Sequence, residues 1–232
     1  MFTPFSYNTL DIIRDGLVFW GDVNDKTSYP ESGTIWRDIS TSNYTGTLTN
    51  GPTYNSSNGG TFLFDGIDDA IVLGTPANIN STYCTIAMWI NSSNLSGTEV
   101  FFQRRNTRAN TVRLRHFITG GIPNYTFTIT NNSDTLIELQ ASSYTPVANR
   151  WEFLVGTYNG SFLYLYINGA LEAFTPLSGT IDTTNYNAVT IGNNNGYSAG
   201  IQGNIATTYY YNRALTANEV LQNYEATKNR FV

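Results

Sequence analysis

Charge is scarce in this chain: only 12% of its 232 residues are Asp, Glu, Lys or Arg, roughly half the share in a typical globular protein. The net charge of −5 argues against general nucleic-acid binding, because phosphate backbones attract basic surfaces. Solubility must therefore come from Asn, Thr, Ser and Gly. Asn and Gly favour tight turns and Thr favours strands, so this composition indicates an all-β protein.

Cysteine and histidine each occur once, as Cys84 and His116. A single cysteine excludes an intrachain disulfide, and the apolar run around it predicts a buried structural thiol. A single histidine means that Ser-His-Asp chemistry could run only through His116, and no other residue pattern supports it. The lack of disulfides suits assembly in a reducing cytoplasm.

Long apolar runs and paired acids are also missing. No run approaches the ~18 residues that span a bilayer, and no secretory segment opens the chain, so we expect no membrane partner. The glutamates are scattered singly, whereas glycoside hydrolases place two carboxylates on either side of the scissile bond. We therefore predict a protein that is not an enzyme and has no catalytic residues.

The clearest structural signal is the stretch 151–171, where Asn159-Gly160 and Asn168-Gly169 follow alternating apolar segments. Asn-Gly is typical of type I′ hairpins, which need positive φ at both central positions. Two hairpins this close together predict an antiparallel meander with one buried face. Alternation places Leu163, Leu165 and Ile167 on the buried face and Phe162, Tyr164 and Tyr166 on the other.

Similar segments recur along the chain, separated by Gly, Pro, Asn or Ser and without helices between them. This spacing predicts two packed antiparallel sheets in an all-β jelly-roll sandwich. The region 21–60 is rich in turns, with Trp36 and Leu48 as apolar anchors. The predicted strands are 16–20, 60–64, 70–73, 84–90, 100–104, 111–118, 125–130, 135–140, 151–158, 162–167, 188–191 and 204–211.

The two ends of the chain differ from the sandwich. Residues 1–14 are too apolar for a solvated tail, so they predict an arm that packs across its own sandwich or reaches a neighbouring subunit. Residues 15–232 then form a single domain. Thr216 and Glu219 have the spacing of a capping box, which predicts a short C-terminal α-helix that covers an end of the sandwich.

Several segments together carry a family resemblance: GLVFW at 16–20, FDGIDDAI at 64–71, MWI at 88–90 and YNRALT at 211–216. Their identity and order resemble laminin-G-like domains of the concanavalin A-like lectin/glucanase superfamily, of the variety found in virion proteins of tailed bacteriophages. The likeness spans about residues 16–228 and implies a jelly roll of two curved sheets. That fold hosts lectins, glycan hydrolases, adhesion modules and structural domains.

The resemblance implies a non-enzymatic structural or decoration protein of a bacteriophage virion, made in the host cytoplasm and weakly adhesive to glycans. Its partners would be other virion proteins or copies of itself. The alternative is a lectin-like adhesion module that binds host cell-surface polysaccharide. Neither function requires a cofactor.

An acidic turn contains Asp65, Asp68 and Asp69. Carboxylates on loops suit calcium, and several laminin-G-like domains carry one, so Asp68 and Asp69 are the ligands we predict if calcium is bound. Aspartates also form turns by bonding their own backbone. We therefore expect no metal, with calcium as the alternative.

The segment 104–116 holds five of the ten arginines. Arg113 and Arg115 alternate with Val112 and Leu114, so the two guanidinium groups project from one sheet face. They could bind an acidic glycan or a carboxylate of a neighbouring subunit. The alternative is a solvated sheet face on which they pair with Glu99 or Glu138.

A sugar-binding platform needs an exposed aromatic ring with amide or carboxylate groups beside it. The loop with Asn193, Asn195 and Tyr197 has this composition, as does the turn region around Trp36. We therefore name these four residues as candidate ligand contacts. The asparagines could instead form a wide turn before the last strand.

Overall fold

A computed structural model describes residues 10–105, 112–183, 188–194, 196 and 198–232. These residues form sixteen β-strands and one α-helix. The elements are β1 (Leu17–Asp22), β2 (Ile35–Arg37), β3 (Thr45–Thr49), β4 (Thr53–Asn55), β5 (Thr61–Asp65), β6 (Ala70–Gly74), β7 (Cys84–Ser92), β8 (Glu99–Arg105), β9 (Val112–Thr119), β10 (Ile122–Thr130), β11 (Leu136–Gln140), β12 (Glu152–Tyr158), β13 (Phe162–Ile167), β14 (Ala170–Pro176), β15 (Ala188–Ile191), β16 (Gln202–Tyr211) and α1 (Ala217–Thr227).

The strands form two eight-stranded antiparallel sheets that pack face to face. Sheet A has the order β14-β13-β12-β7-β16-β5-β4, and β1 also pairs with β16. Sheet B has the order β11-β10-β9-β8-β15-β6-β3-β2. This arrangement confirms the predicted all-β sandwich with a short C-terminal helix.

The core between the sheets contains Leu163, Leu165 and Ile167, as their alternation predicts. Phe127 of β10 crosses to sheet A and lies against Gly156. A Cβ at Gly156 would lie 2.4 Å from the Phe127 ring, so only glycine allows this close approach. Cys84 is buried in the same core, which confirms the structural thiol.

The two predicted hairpin turns are built differently. Asn168 and Gly169 both have positive φ, +51° and +82°, as a type I′ turn requires. Asn159 does not; its Oδ1 accepts the backbone N–H groups of Ser161 at 3.0 Å and Phe162 at 2.9 Å. The first turn therefore depends on a side chain instead of on a type I′ backbone.

Helix α1 begins with the predicted capping box of Thr216 and Glu219. Its predicted position at an end of the sandwich is wrong, because α1 packs on the outer face of sheet A. The central strands of that sheet turn apolar side chains outward, and these need cover. They cluster with Val220 of the helix: Ala87, Trp89, Phe153, Val155, Tyr209 and Tyr211.

Residues 10–14 also lie on the outer face of sheet A. Ile12 is buried, the Ile13 N–H donates to Asn223 Oδ1 at 2.8 Å, and the Tyr211 hydroxyl donates to the Ile13 carbonyl at 2.9 Å. This part of the predicted arm packs on its own sandwich. Residues 1–9 lie outside the described residues.

The turn-rich region 21–60 contains three short strands that the sequence does not predict, β2, β3 and β4. Each has only three to five residues, so none shows apolar alternation over a long enough run. Trp36 and Leu48 are buried there, which confirms them as anchors.

Candidate functional site

Trp36 does not reach the surface, so the predicted sugar platform at this residue is wrong. Its ring packs edge-on against Phe19 and Phe62, with centroids 5.8 and 5.3 Å away. A Cβ at Gly21 would lie 2.4 Å from the indole, so glycine makes room for the ring. The pleat of β2 turns this side chain inward.

Asn193 is also buried, and its amide holds a turn. Its Nδ2 donates to the carbonyls of Ile67 and Asp69 at 3.3 and 3.2 Å, and its Oδ1 accepts the N–H of Ala199 at 3.0 Å. This is the wide-turn alternative, and it leaves Asn193 no surface for a ligand. Asn195 and Tyr197 lie outside the described residues, so their contacts stay a prediction.

Arg113 and Arg115 project from the same face of sheet B, opposite Val112 and Leu114. Both pair with Glu138, Arg113 at 3.3 Å and Arg115 in a closer contact, while Arg115 Nε donates to Thr126 at 3.3 Å. Their side chains are only 13% and 12% exposed. The group therefore resembles a covered ion-pair cluster more than a solvated patch, and its role in binding an acid stays a prediction.

The arginine segment is not one continuous patch, because Arg104 points into the sandwich. Its guanidinium donates to the Ile79 carbonyl at 3.2 Å, to Asn80 Oδ1 at 3.0 Å and to the Asp182 carbonyl at 2.7 Å. Arg104 thus joins two loops. The side chain of Arg105 and the whole of Arg108 lie outside the described part of the chain.

The acidic turn brings carboxylate oxygens of Asp65, Asp68 and Asp69 within 4.8 Å of one another. Burial, together with the nearby charges of Asp65 and Asp68, raises the pKa of Asp69. Clustered like charges of this kind would be stabilised by a cation. Asp69 Oδ2 and Asp65 Oδ1 also accept backbone N–H groups of the turn, so the structure fits both the calcium and the turn interpretations.

A cleft of about 410 Å³ opens beside the acidic turn, at the β5–β4 edge of sheet A. Asp65, Asp69 and Gln202 line it together with Asn50, Thr53 and Ser93, and Leu63 provides an apolar surface that is 42% exposed. Carboxylates, amides and hydroxyls around one apolar surface suit a polyhydroxylated ligand. The cleft could not be predicted from the sequence, because its residues come from four separate segments.

Glu99 lies behind the cleft and forms hydrogen bonds with residues at its wall. Glu99 Oε1 accepts the Gln202 N–H at 2.9 Å, and Oε2 accepts the Ser92 hydroxyl at 2.6 Å. Burial raises the pKa of Glu99 to about 7, partly offset by these two hydrogen bonds. Its cross-strand neighbour is His116, whose pKa burial lowers.

A second buried carboxylate, Glu152, lies fully inside the sandwich. It accepts the hydroxyls of Tyr125 and Tyr144 and pairs with Arg150 at 2.6 Å. Burial, followed by the contact with Glu152, raises the pKa of both tyrosines. A carboxylate that is this well hydrogen-bonded orders the loop between β11 and β12.

The family of the chain follows from its sequence profile as well as from the fold. Residues 65–221, more than half of the chain, match the profile of the concanavalin A-like lectin/glucanases superfamily. This chain belongs to that superfamily. The match extends from the acidic turn to helix α1, and therefore includes half of the residues that line the cleft.

Several solved structures share the fold at low sequence identity. Domain 4 of AbnA, an extracellular arabinanase from Geobacillus stearothermophilus, in complex with arabinotriose, superposes with a TM-score of 0.70 at 14% identity, over 91% of this chain and 99% of that one. The binding domain of Paraclostridial Mosquitocidal Protein 1 gives 0.67 at 16%, over 91% and 52%. A Trypanosoma rangeli sialidase gives 0.67 at 12%, over 94% and 33%.

This chain thus spans about half of the toxin binding domain and a third of the sialidase. At these identities the likeness shows the lectin-like fold alone. A search of curated protein sequences finds no match. In the described residues, no helix has the length and apolar character that a membrane span requires.

Proposed function

We propose that this chain is a carbohydrate-binding module that holds a glycan without cleaving it. The observation that carries this proposal is the cleft at the acidic turn. There, Asp65, Asn50 and Gln202 surround the exposed side chain of Leu63. Sugar hydroxyls suit the polar groups, and the apolar face of a sugar ring suits the leucine.

The structural similarity supports this proposal at the level of the fold alone. The AbnA domain has nearly the same extent as this chain and was solved with arabinotriose. Host cell-surface polysaccharide is the ligand source that we propose here. Calcium at Asp68 and Asp69 would add a charged contact for sugar hydroxyls.

The cleft is tested by Gln202→Ala and Leu63→Ser, two changes at exposed side chains. Each removes a contact of about 1 kcal/mol, so we expect each to weaken glycan binding about fivefold. Binding is measured by calorimetry against neutral and acidic polysaccharides, with calcium and with a chelator. Ile122→Ala, which truncates an exposed side chain of sheet B, is the matched control.

Several results of this experiment would contradict the proposal. If both cleft variants bind glycans as tightly as the wild type, the cleft is not the binding site. If the wild type binds none of the polysaccharides, the proposed function is wrong. Release of reducing sugar from a bound glycan would show an enzyme instead. Identical affinity with calcium and with the chelator would show that Asp68 and Asp69 serve the turn alone.

A structural or decoration role in a bacteriophage virion is the second candidate. It is favoured by the N-terminal segment, where residues 10–14 pack beside α1 and residues 1–9 add Phe2, Phe5 and Tyr7 to the apolar sequence. In this role, residues 1–9 attach the domain to other virion proteins or to copies of itself. Glycan binding and virion attachment can coexist in one protein.

Attachment is tested by deleting residues 1–9, which leaves the contacts of Ile12 and Ile13 intact. We expect the full chain to form oligomers or to co-sediment with phage particles, and the shortened chain to remain monomeric and unbound. Light scattering and sedimentation measure both. A full chain that is monomeric and absent from particles would contradict the virion role.

A further inference from the structure

A groove of about 430 Å³ lies on the outer face of sheet A, at the edge opposite the cleft. Its floor contains Thr157, Tyr164 and Tyr166, and one wall is formed by residues 214–217 at the start of α1. Asn159 and Leu171 complete the lining. The acidic turn contributes nothing to this groove.

An aromatic stripe extends from the groove along the sheet edge. Tyr164 lies 6.0 Å from Phe162, 6.3 Å from Tyr166 and 6.2 Å from Phe174, measured between ring centroids. The Tyr164 and Phe174 rings are inclined by only 26°, and Phe174 is 61% exposed. Phe174 is exposed on an edge strand, where core packing does not require it, so its ring is available to a ligand.

Thr157 provides a second, independent observation at the groove. It is fully buried, and its hydroxyl has no hydrogen-bond partner among the described residues. Its cross-strand neighbour Thr85 is satisfied, since it donates to the Arg213 carbonyl at 2.9 Å and accepts the Leu215 N–H at 2.8 Å. A buried hydroxyl without a partner destabilises the fold, and a ligand with its own hydroxyls would relieve that cost.

The lining of the groove also indicates the class of ligand. None of the described residues that line it carries a charge, so an ionic ligand would be desolvated there without compensation. A purely apolar ligand would leave the Thr157 hydroxyl unpaired. A sugar ring has both an apolar face for an aromatic side chain and hydroxyls at its edge.

We propose that this groove is a second glycan site, specific for neutral sugars. The sugar rings stack on Tyr164 and Phe174, and a hydroxyl bonds to Thr157. The class of ligand rests on the proposed function, but the site is separate from the cleft. Two sites at opposite edges of sheet A let one domain hold a polysaccharide at two points.

The test uses Gln202→Ala as the background, because this change weakens the cleft. In that background we add Thr157→Val or Phe174→Ser, with Ile122→Ala as control, and titrate arabinan, mannan and dextran. We expect Thr157→Val to weaken binding about fivefold with an unchanged or higher melting temperature, since it removes an unpaired hydroxyl at nearly constant shape. Phe174→Ser should weaken binding about tenfold.

The outcomes separate the two proposals. If the wild type binds neutral glycans and the Thr157 and Phe174 variants bind as tightly as the control, the groove is not a glycan site, while the proposed function stands. If the background alone loses all neutral-glycan binding, the groove is again excluded. A wild type that binds no glycan overturns both proposals.

Discussion

Trp89→Ala should lower the free energy of unfolding by about 4 kcal/mol, the cost of truncating a fully buried tryptophan. The ring is stacked on Phe231 at 4.3 Å and on Tyr224 at 5.9 Å, and its Nε1 donates to Thr227 at 2.8 Å. An isolated helix as short as α1 is marginal in water. The helix therefore depends on this packing, and urea unfolding followed by circular dichroism measures the loss.

Leu221→Ala on the same helix is the matched control. Leu221 is 46% exposed, so its truncation should cost less than about 1 kcal/mol. Equal effects of the two substitutions would show that α1 is not attached through Trp89. Loss of the helix should also weaken binding in the proposed groove, because residues 214–217 form one of its walls.

Glu99→Gln should change how stability depends on pH. Because the pKa of Glu99 is raised from its ordinary value to about 7, the stability associated with its protonated form is complete at low pH. It is lost as the pH rises through about 7. Relative to the wild type, the variant should gain less than about 1 kcal/mol at pH 5 and about 3 kcal/mol at pH 8.5.

His116 and Glu219 also have shifted pKa values, and both groups are present in the variant. Burial lowers the pKa of His116. Its neutral form therefore contributes to the free energy of unfolding, and this contribution is lost as the pH falls below the ordinary pKa of histidine. The hydrogen bond from Arg213 lowers the pKa of Glu219 to about 2, so that contribution is lost only in strong acid. Parallel stability curves for the wild type and Glu99→Gln, measured by urea unfolding from pH 5 to pH 8.5, would contradict the buried carboxyl.

The fold could be predicted from the sequence because apolar residues recur at alternate positions in the long strands. Leu163, Leu165 and Ile167 mark the core, and the capping box of Thr216 marks the start of α1. The position of α1 on the sandwich could not be predicted. Residues on the outer face, such as Trp89 and Phe153, are as apolar as those of the core, so alternation gives no sign of which face is covered.

The candidate site was harder to predict from the sequence, because it depends on residues that meet only in the folded chain. Trp36 and Asn193 have the composition of a sugar platform, but both are buried by contacts with distant segments. Conversely, Asn50, Leu63 and Gln202 carry no motif and meet at one cleft. The unpaired hydroxyl of Thr157 depends on the position of its neighbours, which composition does not reveal.

The position of α1 explains why the two proposed sites lie at opposite edges of sheet A. The helix and residues 10–14 cover the centre of the outer face. The cleft lies at the β5–β4 edge and the groove at the β14–β13 edge. A polysaccharide that reaches both edges must therefore pass around the helix.

The most direct measurement is a crystal structure of the full chain grown with a neutral oligosaccharide such as arabinotriose. Our account requires sugar density at Leu63 and Gln202, with a second sugar against Tyr164 and Phe174. Crystals that hold the oligosaccharide elsewhere on the sandwich, or exclude it at saturating concentration, would contradict the account.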